Sequence, residues 1–208
     1  MIRVKVCGMR HPWNVAEIAE AKPDYMGFIF FQGSERYVGD DEPFSMVPPG
    51  IKRIGVFVNE EIKKIVELSV RAGLELVQLH GDESPDVCRE LRSSGLKVIK
   101  AFNVGKDFSF EYSEKYISAC DYFLFDTKSG THGGSGMKFD WGRLESYSVD
   151  KPFFLSGGIG PGDESAVKSL ENRALFAVDI NSRFEISPGI KDAKKISEFI
   201  KAIKIDQV

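Results

Sequence analysis

Cysteine is scarce in this sequence, and the residues that occur are far apart. Cys7, Cys88 and Cys120 form an odd set of three among 208 residues. No two of them have the close spacing of a zinc site or a redox dithiol. Free thiols at such distances are typical of a reducing compartment. We therefore predict a reduced, cytoplasmic protein.

Long apolar runs and a strong charge of either sign are also missing. No apolar run approaches the roughly 20 residues that a membrane-spanning helix needs. Arg3, Lys5 and Arg10 interrupt the short apolar stretch at the start, which does not fit a signal peptide. The formal net charge is −3, whereas a nucleic-acid-binding surface is normally basic. We expect neither a membrane nor a nucleic-acid partner, and an anionic ligand would need a local site.

The sequence does contain a regular alternation of strand-like and helix-like segments. Short apolar runs rich in Val, Ile and Phe predict eight strands, at residues 3–6, 25–30, 52–58, 76–79, 97–101, 122–125, 153–155 and 175–178. Apolar spacing and capping signals predict six helices, at residues 14–22, 60–72, 84–94, 108–119, 162–172 and 192–203. Two weaker helical segments, at 41–49 and 140–147, complete eight connections.

This alternation predicts an α/β fold with a parallel sheet and right-handed crossovers. Eight units predict a closed (β/α)₈ TIM barrel, and 208 residues is at the small end of that class. A doubly wound open sheet is the main alternative, but it usually has fewer strands at this length. No linker divides the chain, so we predict one barrel domain over residues 1–208.

Polar residues and glycines follow the predicted strands, where barrel enzymes carry their active sites. The carboxylate of Asp126 follows a very apolar strand and precedes a glycine-rich loop at 129–136. It is costly there unless it acts as a general acid or pairs with a Lys or Arg. Cys7 follows the first strand. It is a candidate general base or nucleophile, and the alternative is an inert buried thiol.

Three other positions at strand ends have both a functional and a plain structural interpretation. The segments 156–160 and 179–182 follow strands seven and eight, where barrels bind phosphate, although glycines there also form simple turns. Arg36 either binds a substrate carboxylate through two hydrogen bonds from its guanidinium group or is a solvated loop residue. His80 ends the fourth strand and is either catalytic or structural.

Taken together, these motifs resemble one family, phosphoribosylanthranilate isomerase, a small (β/α)₈ barrel of tryptophan biosynthesis. The matching segments span the chain in the order of the family. They are VKVCG at 4–8, GFIF at 27–30, SERYV at 34–38, GVFVN at 55–59, VQLHG at 77–81, FD at 125–126, GGSGMKFDW at 133–141, SGGI at 156–159 and SPGIKD at 187–192.

The resemblance implies the Amadori rearrangement of N-(5-phosphoribosyl)anthranilate to 1-(2-carboxyphenylamino)-1-deoxyribulose 5-phosphate. It assigns Cys7 as the general base and Asp126 as the general acid. The implied substrate-binding residues are Arg36 for the anthranilate carboxylate, Gly157, Gly158, Asn181 and Ser182 for the phosphate, and His80 and Asp179 at neighbouring strand ends. The electron sink forms within the substrate, so no metal or organic cofactor is expected. A homodimer is one option for the assembly.

The sequence departs from the family pattern after the last two strands. Arg183 occupies a glycine position, where it either adds a charge to the phosphate site or points to solvent. The usual Gly-Leu-Asn is changed at Gly158-Ile159-Gly160. One alternative is another phosphosugar barrel, related to indole-glycerol-phosphate synthase, which needs a lysine at the mouth; Lys5 and Lys100 are not clearly placed there. A non-catalytic phosphosugar-binding module is the other alternative.

Overall fold

Eight parallel strands close into one barrel in a computed structural model of the chain, which describes residues 1–39, 42–127 and 140–204. Each strand pairs with its neighbours in chain order, and the eighth pairs with the first. The strands are β1 Arg3–Val6, β2 Tyr25–Ile29, β3 Lys52–Phe57, β4 Leu76–Leu79, β5 Lys97–Val104, β6 Tyr122–Thr127, β7 Phe153–Leu155 and β8 Leu175–Ile180. The predicted (β/α)₈ barrel is confirmed.

The connections vary more than the strands. The α-helices are α1 Pro12–Ala19, α2 Ile62–Ala72, α3 Pro85–Ser93, α4 Glu111–Glu114, α5 Glu164–Lys168 and α6 Ala193–Lys204. Short 3₁₀ turns replace the two weak helices, at Pro43–Met46 and Trp141–Ser146. Within the described ranges, no helix has the length and apolarity to cross a bilayer.

The predicted helix at 108–119 is mostly wrong, because only its middle is helical. Phe108 and Phe110 lie before α4 and pack on the barrel wall, with ring centroids 6.1 Å from Phe102 and 5.1 Å from Phe125 respectively. Aromatic residues are only moderate helix formers. Their packing against the strands therefore decides the path of the chain here.

The side chains of each strand alternate between the barrel interior and the surrounding helices. Aliphatic and aromatic residues fill the interior, while a larger apolar layer lies between strands and helices. The N-terminal end of the interior is closed by aromatic rings. Phe176 lies 4.7 Å from Tyr122 and 5.5 Å from Phe154 between centroids. The polar residues of the interior are thus confined to the opposite end.

A hairpin that the sequence did not predict follows the eighth strand. A 3₁₀ turn at Ser182–Phe184 leads into β9 Glu185–Ser187 and β10 Ile190–Lys191, which pair antiparallel. The buried amide of Asn14 in α1 fixes the hairpin to the barrel. Its Oδ1 accepts from the N–H of Lys191 at 2.8 Å, and its Nδ2 donates to the Lys191 carbonyl at 3.0 Å.

Candidate active site

Cys7 follows β1 directly and is 4% exposed at the C-terminal end of the barrel. Its thiol shares a narrow space with Lys5. A Cβ atom at Gly27 would lie 2.8 Å from the Sγ of Cys7 and 2.9 Å from the Cε of Lys5. The glycine in the neighbouring strand β2 therefore lets both side chains point into the barrel.

Lys5 is completely buried and paired inside the barrel. Its Nζ donates to Oδ2 of Asp179 at 2.9 Å and to Oε1 of Gln78 at 2.5 Å. Lys5 and Asp179 are register partners where β1 meets β8. Burial alone would lower the pKa of Lys5, but the charge of Asp179 and the nearby Cys7 outweigh it and raise that pKa. The ammonium is therefore the form held in the barrel.

The same surroundings act on the thiol. Burial raises the pKa of Cys7, the charge of Lys5 opposes that rise, Asp179 adds to it, and Lys191 opposes it. A thiol needs its thiolate form to accept a proton. The two lysines are therefore the groups that favour a basic Cys7 in a buried position.

Asp126 lies on β6, within the last two residues of the strand. Its Oδ1 accepts from the N–H of Thr127 at 2.8 Å, and its Oδ2 lies 3.5 Å from Nε2 of His80. The Nδ1 of His80 is 2.8 Å from Nε2 of Gln78. About a fifth of the side chain of Asp126 is exposed, so the carboxyl is accessible from the mouth.

A continuous line of polar contacts therefore crosses the mouth of the barrel. It runs from Asp126 through His80, Gln78 and Lys5 to Asp179. The charge of Asp126 in turn acts on the Asp179 carboxyl, whose pKa is raised mainly by burial. The two predicted catalytic residues thus belong to one electrostatic neighbourhood.

A second cluster forms around Arg36. Its Nε and Nη2 hold both carboxylate oxygens of Glu185, at 2.7 to 3.1 Å. The Nζ of Lys191 donates to Glu185 at 2.7 Å and to Oδ1 of Asn181 at 2.5 Å. A Cβ atom at Gly8 would lie 2.8 Å from that Oδ1 and 2.9 Å from the Cδ of Arg36. This cluster therefore adjoins the loop that follows Cys7.

The pKa values of Glu185 and Lys191 are both lowered, although the two residues are paired. Burial would raise the pKa of Glu185, but hydrogen bonds from Arg36 and the charge of Lys191 lower it. Burial lowers the pKa of Lys191, and Glu185 opposes that change only in part. The carboxylate is therefore held between two cationic groups, and its charge is well compensated.

The predicted phosphate loops lie next to each other. Gly157 and Gly158 have φ angles of +91° and +68°, in the region that favours glycine. The N–H groups of these two glycines donate no hydrogen bond to another described residue. Arg183 lies against the same loop, since a Cβ atom at Gly160 would be 3.3 Å from its Nε. Its side chain is also exposed, so both interpretations of Arg183, a charge at the phosphate site and a side chain in solvent, stay predictions.

Lys100 does not face the mouth of the barrel. Its neighbours in β5, Ile99 and Ala101, fill the interior, so its side chain points to the opposite side. There its Nζ donates to Glu83 at 3.0 Å and to the carbonyl of Gly81 at 2.7 Å. Lys5, the other candidate, is held in the pair with Asp179. The catalytic lysine required by the indole-glycerol-phosphate synthase alternative therefore has no support from either residue.

The sequence-predicted residues separate into three groups in the structure. Cys7 and Asp179 lie around Lys5; Asp126 lies beside His80; and the remaining residues, Arg36, Gly157, Gly158, Asn181 and Ser182, lie on the loops of the same end. The predicted glycine-rich loop at 129–136, with His132, lies outside the described residues.

Sequence reasoning assigned no role in the predicted isomerase site to four polar residues of this region. Lys5 and Gln78 interrupt otherwise apolar strands, and Glu185 and Lys191 lie on the unpredicted hairpin. For the first two, the available signal was a long polar side chain in the middle of a buried strand. The other two lacked a local signal, because their partner Arg36 is 149 residues from Glu185.

A closed parallel barrel with a thiol, a carboxyl group and glycine loops at its C-terminal end defines the class of (β/α)₈ barrel enzymes. Within that class, a profile of the family N-(5'phosphoribosyl)anthranilate (PRA) isomerase matches residues 4–202. N-(5'-phosphoribosyl)anthranilate isomerase of Phocaeicola vulgatus is 42% identical over 201 residues, 97% of each chain. The chain belongs to the phosphoribosylanthranilate isomerase family.

Solved structures agree with this assignment over the whole fold. The phosphoribosyl anthranilate isomerase of Thermotoga maritima superposes with a TM-score of 0.87 at 37% identity, covering 98% of this chain and 99% of that one. Another structure of such an isomerase, in complex with reduced 1-(o-carboxyphenylamino)-1-deoxyribulose 5-phosphate, has a TM-score of 0.83 at 34% identity with the same coverage. The family resemblance stated from the motifs is confirmed.

Proposed function

We propose that this chain catalyses the Amadori rearrangement of N-(5-phosphoribosyl)anthranilate in tryptophan biosynthesis, with Cys7 as general base and Asp126 as general acid. Family membership over residues 4–202 supports the reaction. The observation that carries the residue roles is the line of polar contacts from Asp126 to Lys5 and Asp179, beside Cys7, at one end of the barrel. The ligand of the related complex has the chemistry of a reduced form of the product.

The first step assigned to the site is opening of the ribose ring. The carboxyl of Asp126 donates a proton to the ring oxygen as the bond from that oxygen to carbon 1 breaks. The anthranilate nitrogen supplies its electron pair to carbon 1, which gives a protonated imine and a free hydroxyl. Asp126 suits this role because its Oδ1 is fixed by the N–H of Thr127 at 2.8 Å and its side chain is partly exposed to the mouth.

The second step is removal of a proton from carbon 2. The thiolate of Cys7 takes this proton, and the electrons of the C–H bond neutralise the protonated imine and form an enolamine. Return of a proton to carbon 1, with loss of the proton from the hydroxyl group on carbon 2, then gives the ketose. Acid and base need opposite protonation states at one pH. The buried ammonium of Lys5 beside Cys7 favours the basic form of the thiol.

Separate groups of residues are assigned to the anthranilate carboxylate and to the phosphate of the substrate. Glu185 occupies the Nε edge of Arg36, and the other edge of the guanidinium is the one assigned to the anthranilate carboxylate. The N–H groups of Gly157 and Gly158 are assigned to the phosphate, with Asn181 and Ser182. Arg183 adds a positive charge beside this loop. His80 and Asp179 contribute through their contacts with Asp126 and Lys5.

The test of this function removes each catalytic group without changing side-chain size greatly. Cys7→Ala and Asp126→Asn are each expected to lower kcat by about a hundredfold or more, since general acid–base groups contribute roughly 10²–10⁴-fold. Substrate is generated in situ, and loss of its fluorescence is followed. Circular dichroism and binding of a reduced product analogue show that each variant is folded and has an intact site.

Two results would contradict the proposal. A wild-type rate no higher than the uncatalysed background would remove the isomerase activity. Full activity of either variant would remove that residue from the mechanism, while the family assignment would stand.

Two further proposals concern the assembly of the protein and its location in the cell. A solved structure of monomers generated from the dimeric isomerase of Thermotoga maritima is 35% identical to this chain, with a TM-score of 0.83. This supports a homodimer for the present chain. The cytoplasmic location stays a prediction from cysteine usage.

A further inference from the structure

Gln78 lies in the middle of β4 with only 1% of its surface exposed. Its side-chain amide bridges two groups that come from different parts of the site. The Oε1 is 2.5 Å from Nζ of Lys5, and the Nε2 is 2.8 Å from Nδ1 of His80. A buried amide with both ends occupied is strongly restricted in the hydrogen bonds it can make.

The orientation of this amide follows from Lys5. An ammonium group only donates hydrogen bonds, and Lys5 also donates to Asp179 at 2.9 Å. The amide nitrogen of Gln78 cannot face the ammonium, because two donors would then meet without an acceptor. The amide oxygen must therefore face Lys5, and the NH₂ group must face His80.

The orientation of the amide then fixes the proton on His80. An NH₂ group only donates, so the Nδ1 of His80 must accept and cannot carry a hydrogen. In the neutral ring the hydrogen is consequently on Nε2, which lies 3.5 Å from Oδ2 of Asp126. The doubly protonated ring is disfavoured, because its Nδ1–H would point at the NH₂ of Gln78 at 2.8 Å.

We propose that Gln78, oriented by Lys5, is a positioning residue that holds His80 in the neutral Nε2–H form, so that an uncharged donor faces Asp126. A charged imidazolium next to Asp126 would stabilise the carboxylate strongly and favour loss of its proton before substrate binds. A neutral N–H that faces the carboxyl group has a smaller effect of this kind. The consequence for catalysis rests on the proposed acid role of Asp126, whereas the proton position on His80 does not.

The proton position is measured directly by nuclear magnetic resonance on the full chain labelled with ¹⁵N-histidine. Long-range proton–nitrogen correlations distinguish the Nε2–H form, the Nδ1–H form and the imidazolium. The chain has only three histidines, and His11→Gln and His132→Gln variants assign the remaining signals to His80. At pH 7 we expect the Nε2–H pattern for His80. An Nδ1–H or imidazolium pattern in the wild-type protein would overturn the proposal.

Substitution of Gln78 tests whether this residue is the cause. In Gln78→Glu, a carboxylate replaces the NH₂ donor, so His80 is expected to carry a proton on Nδ1, as the Nδ1–H form or the imidazolium. Gln78→Met removes both hydrogen bonds at similar length, and we expect a mixture of neutral forms. The control Gln32→Glu places the same charge change on an exposed loop residue and should leave the His80 pattern intact. An unchanged Nε2–H pattern in both Gln78 variants would overturn the proposal.

Kinetics on the same variants test the consequence for the reaction. We expect Gln78→Glu to lower kcat by about tenfold or more, equal to about 1.4 kcal/mol, with a change in KM of less than about threefold. A shifted His80 proton with unchanged kcat would overturn the positioning role. An inactive wild-type enzyme that shows the Nε2–H pattern would instead overturn the proposed function and leave the assignment of the His80 proton intact.

Discussion

Lys5 shows how a single buried residue links structure to chemistry. Lysine is almost never fully buried without a partner, yet this side chain is 0% exposed and bonded to Asp179 and Gln78. An ammonium group suits this position because it donates hydrogen bonds to both a carboxylate and an amide. Its positive charge also opposes the rise in the pKa of Cys7. Its removal would leave Asp179 buried without its cationic partner, which is strongly unfavourable.

Arg183 departs from the family pattern after the eighth strand, and it leads to a prediction on binding. Because its charge lies beside the loop of Gly157 and Gly158, we expect Arg183→Ala to raise KM by about fivefold to tenfold, or about 1–1.4 kcal/mol. The kcat should change little, since the phosphate does not react. Steady-state kinetics and inhibition by inorganic phosphate provide the measurement.

Arg173 offers a matched control for this experiment. It is exposed and precedes β8, whereas Arg183 follows β8, so the two arginines lie at opposite ends of that strand. Arg173→Ala makes the same change of net charge far from the mouth. Equal KM values for the two variants would show that Arg183 does not contact the phosphate.

Residues that act at strand ends were predictable from sequence, and residues that act through distant partners were not. Cys7 and Asp126 each follow an apolar run, so their position at the mouth is a local property of the sequence. Gln78 obtains its role from Lys5, 73 residues away, and Lys5 pairs with Asp179 over 174 residues. Such pairs become visible only when barrel closure brings β1, β4 and β8 together.

At the level of elements, the hairpin β9–β10 is the main addition to the predicted fold. Glu185 begins β9 and Lys191 ends β10, so the two strands present both members of one ion pair to Arg36. The strands of the barrel were predicted to within a few residues because buried strands are short apolar runs. The hairpin was missed because its strands are only three and two residues long.

Glu185→Gln tests whether the hairpin is held by charge. The pKa of Glu185 is lowered in the folded protein, so its charged form stabilises the fold above the usual glutamate pKa of about 4.3. This contribution is lost as the pH falls through the lower folded value. At pH 7 we expect the variant to lose about 2 kcal/mol, since two cationic groups lose a charged acceptor.

Urea unfolding of both proteins from pH 7 down to acid pH measures this effect. The difference in free energy of unfolding between wild type and Glu185→Gln should be constant above about pH 5 and should shrink below it. A difference that does not depend on pH would show that Glu185 acts through packing and not through its charge.

At the level of the whole molecule, stability and chemistry occupy opposite ends of the barrel. The aromatic cluster of Tyr25, Tyr122, Phe154 and Phe176 fills the N-terminal end, while the polar network lies at the other end. Phe154→Ala is expected to cost about 3–5 kcal/mol of stability, as large cavities in cores do. Below its unfolding transition, the variant should keep a kcat close to that of the wild type.

Denaturant unfolding and steady-state kinetics on the same sample separate the two properties of Phe154→Ala. Phe154→Leu is the matched control, with a smaller loss of stability because it leaves a smaller cavity. A large decrease in kcat for folded Phe154→Ala would show that the aromatic cluster also supports the geometry of the mouth.

The pairing of β1 with β8 has a consequence for synthesis on the ribosome. Lys5 leaves the ribosome long before Asp179, because 174 residues separate them. At about 5–20 residues per second, the interval is on the order of ten to thirty seconds. During that time the nascent chain carries a lysine and a thiol whose final environment does not yet exist, so the catalytic end of the barrel is completed only after translation has passed the last strand.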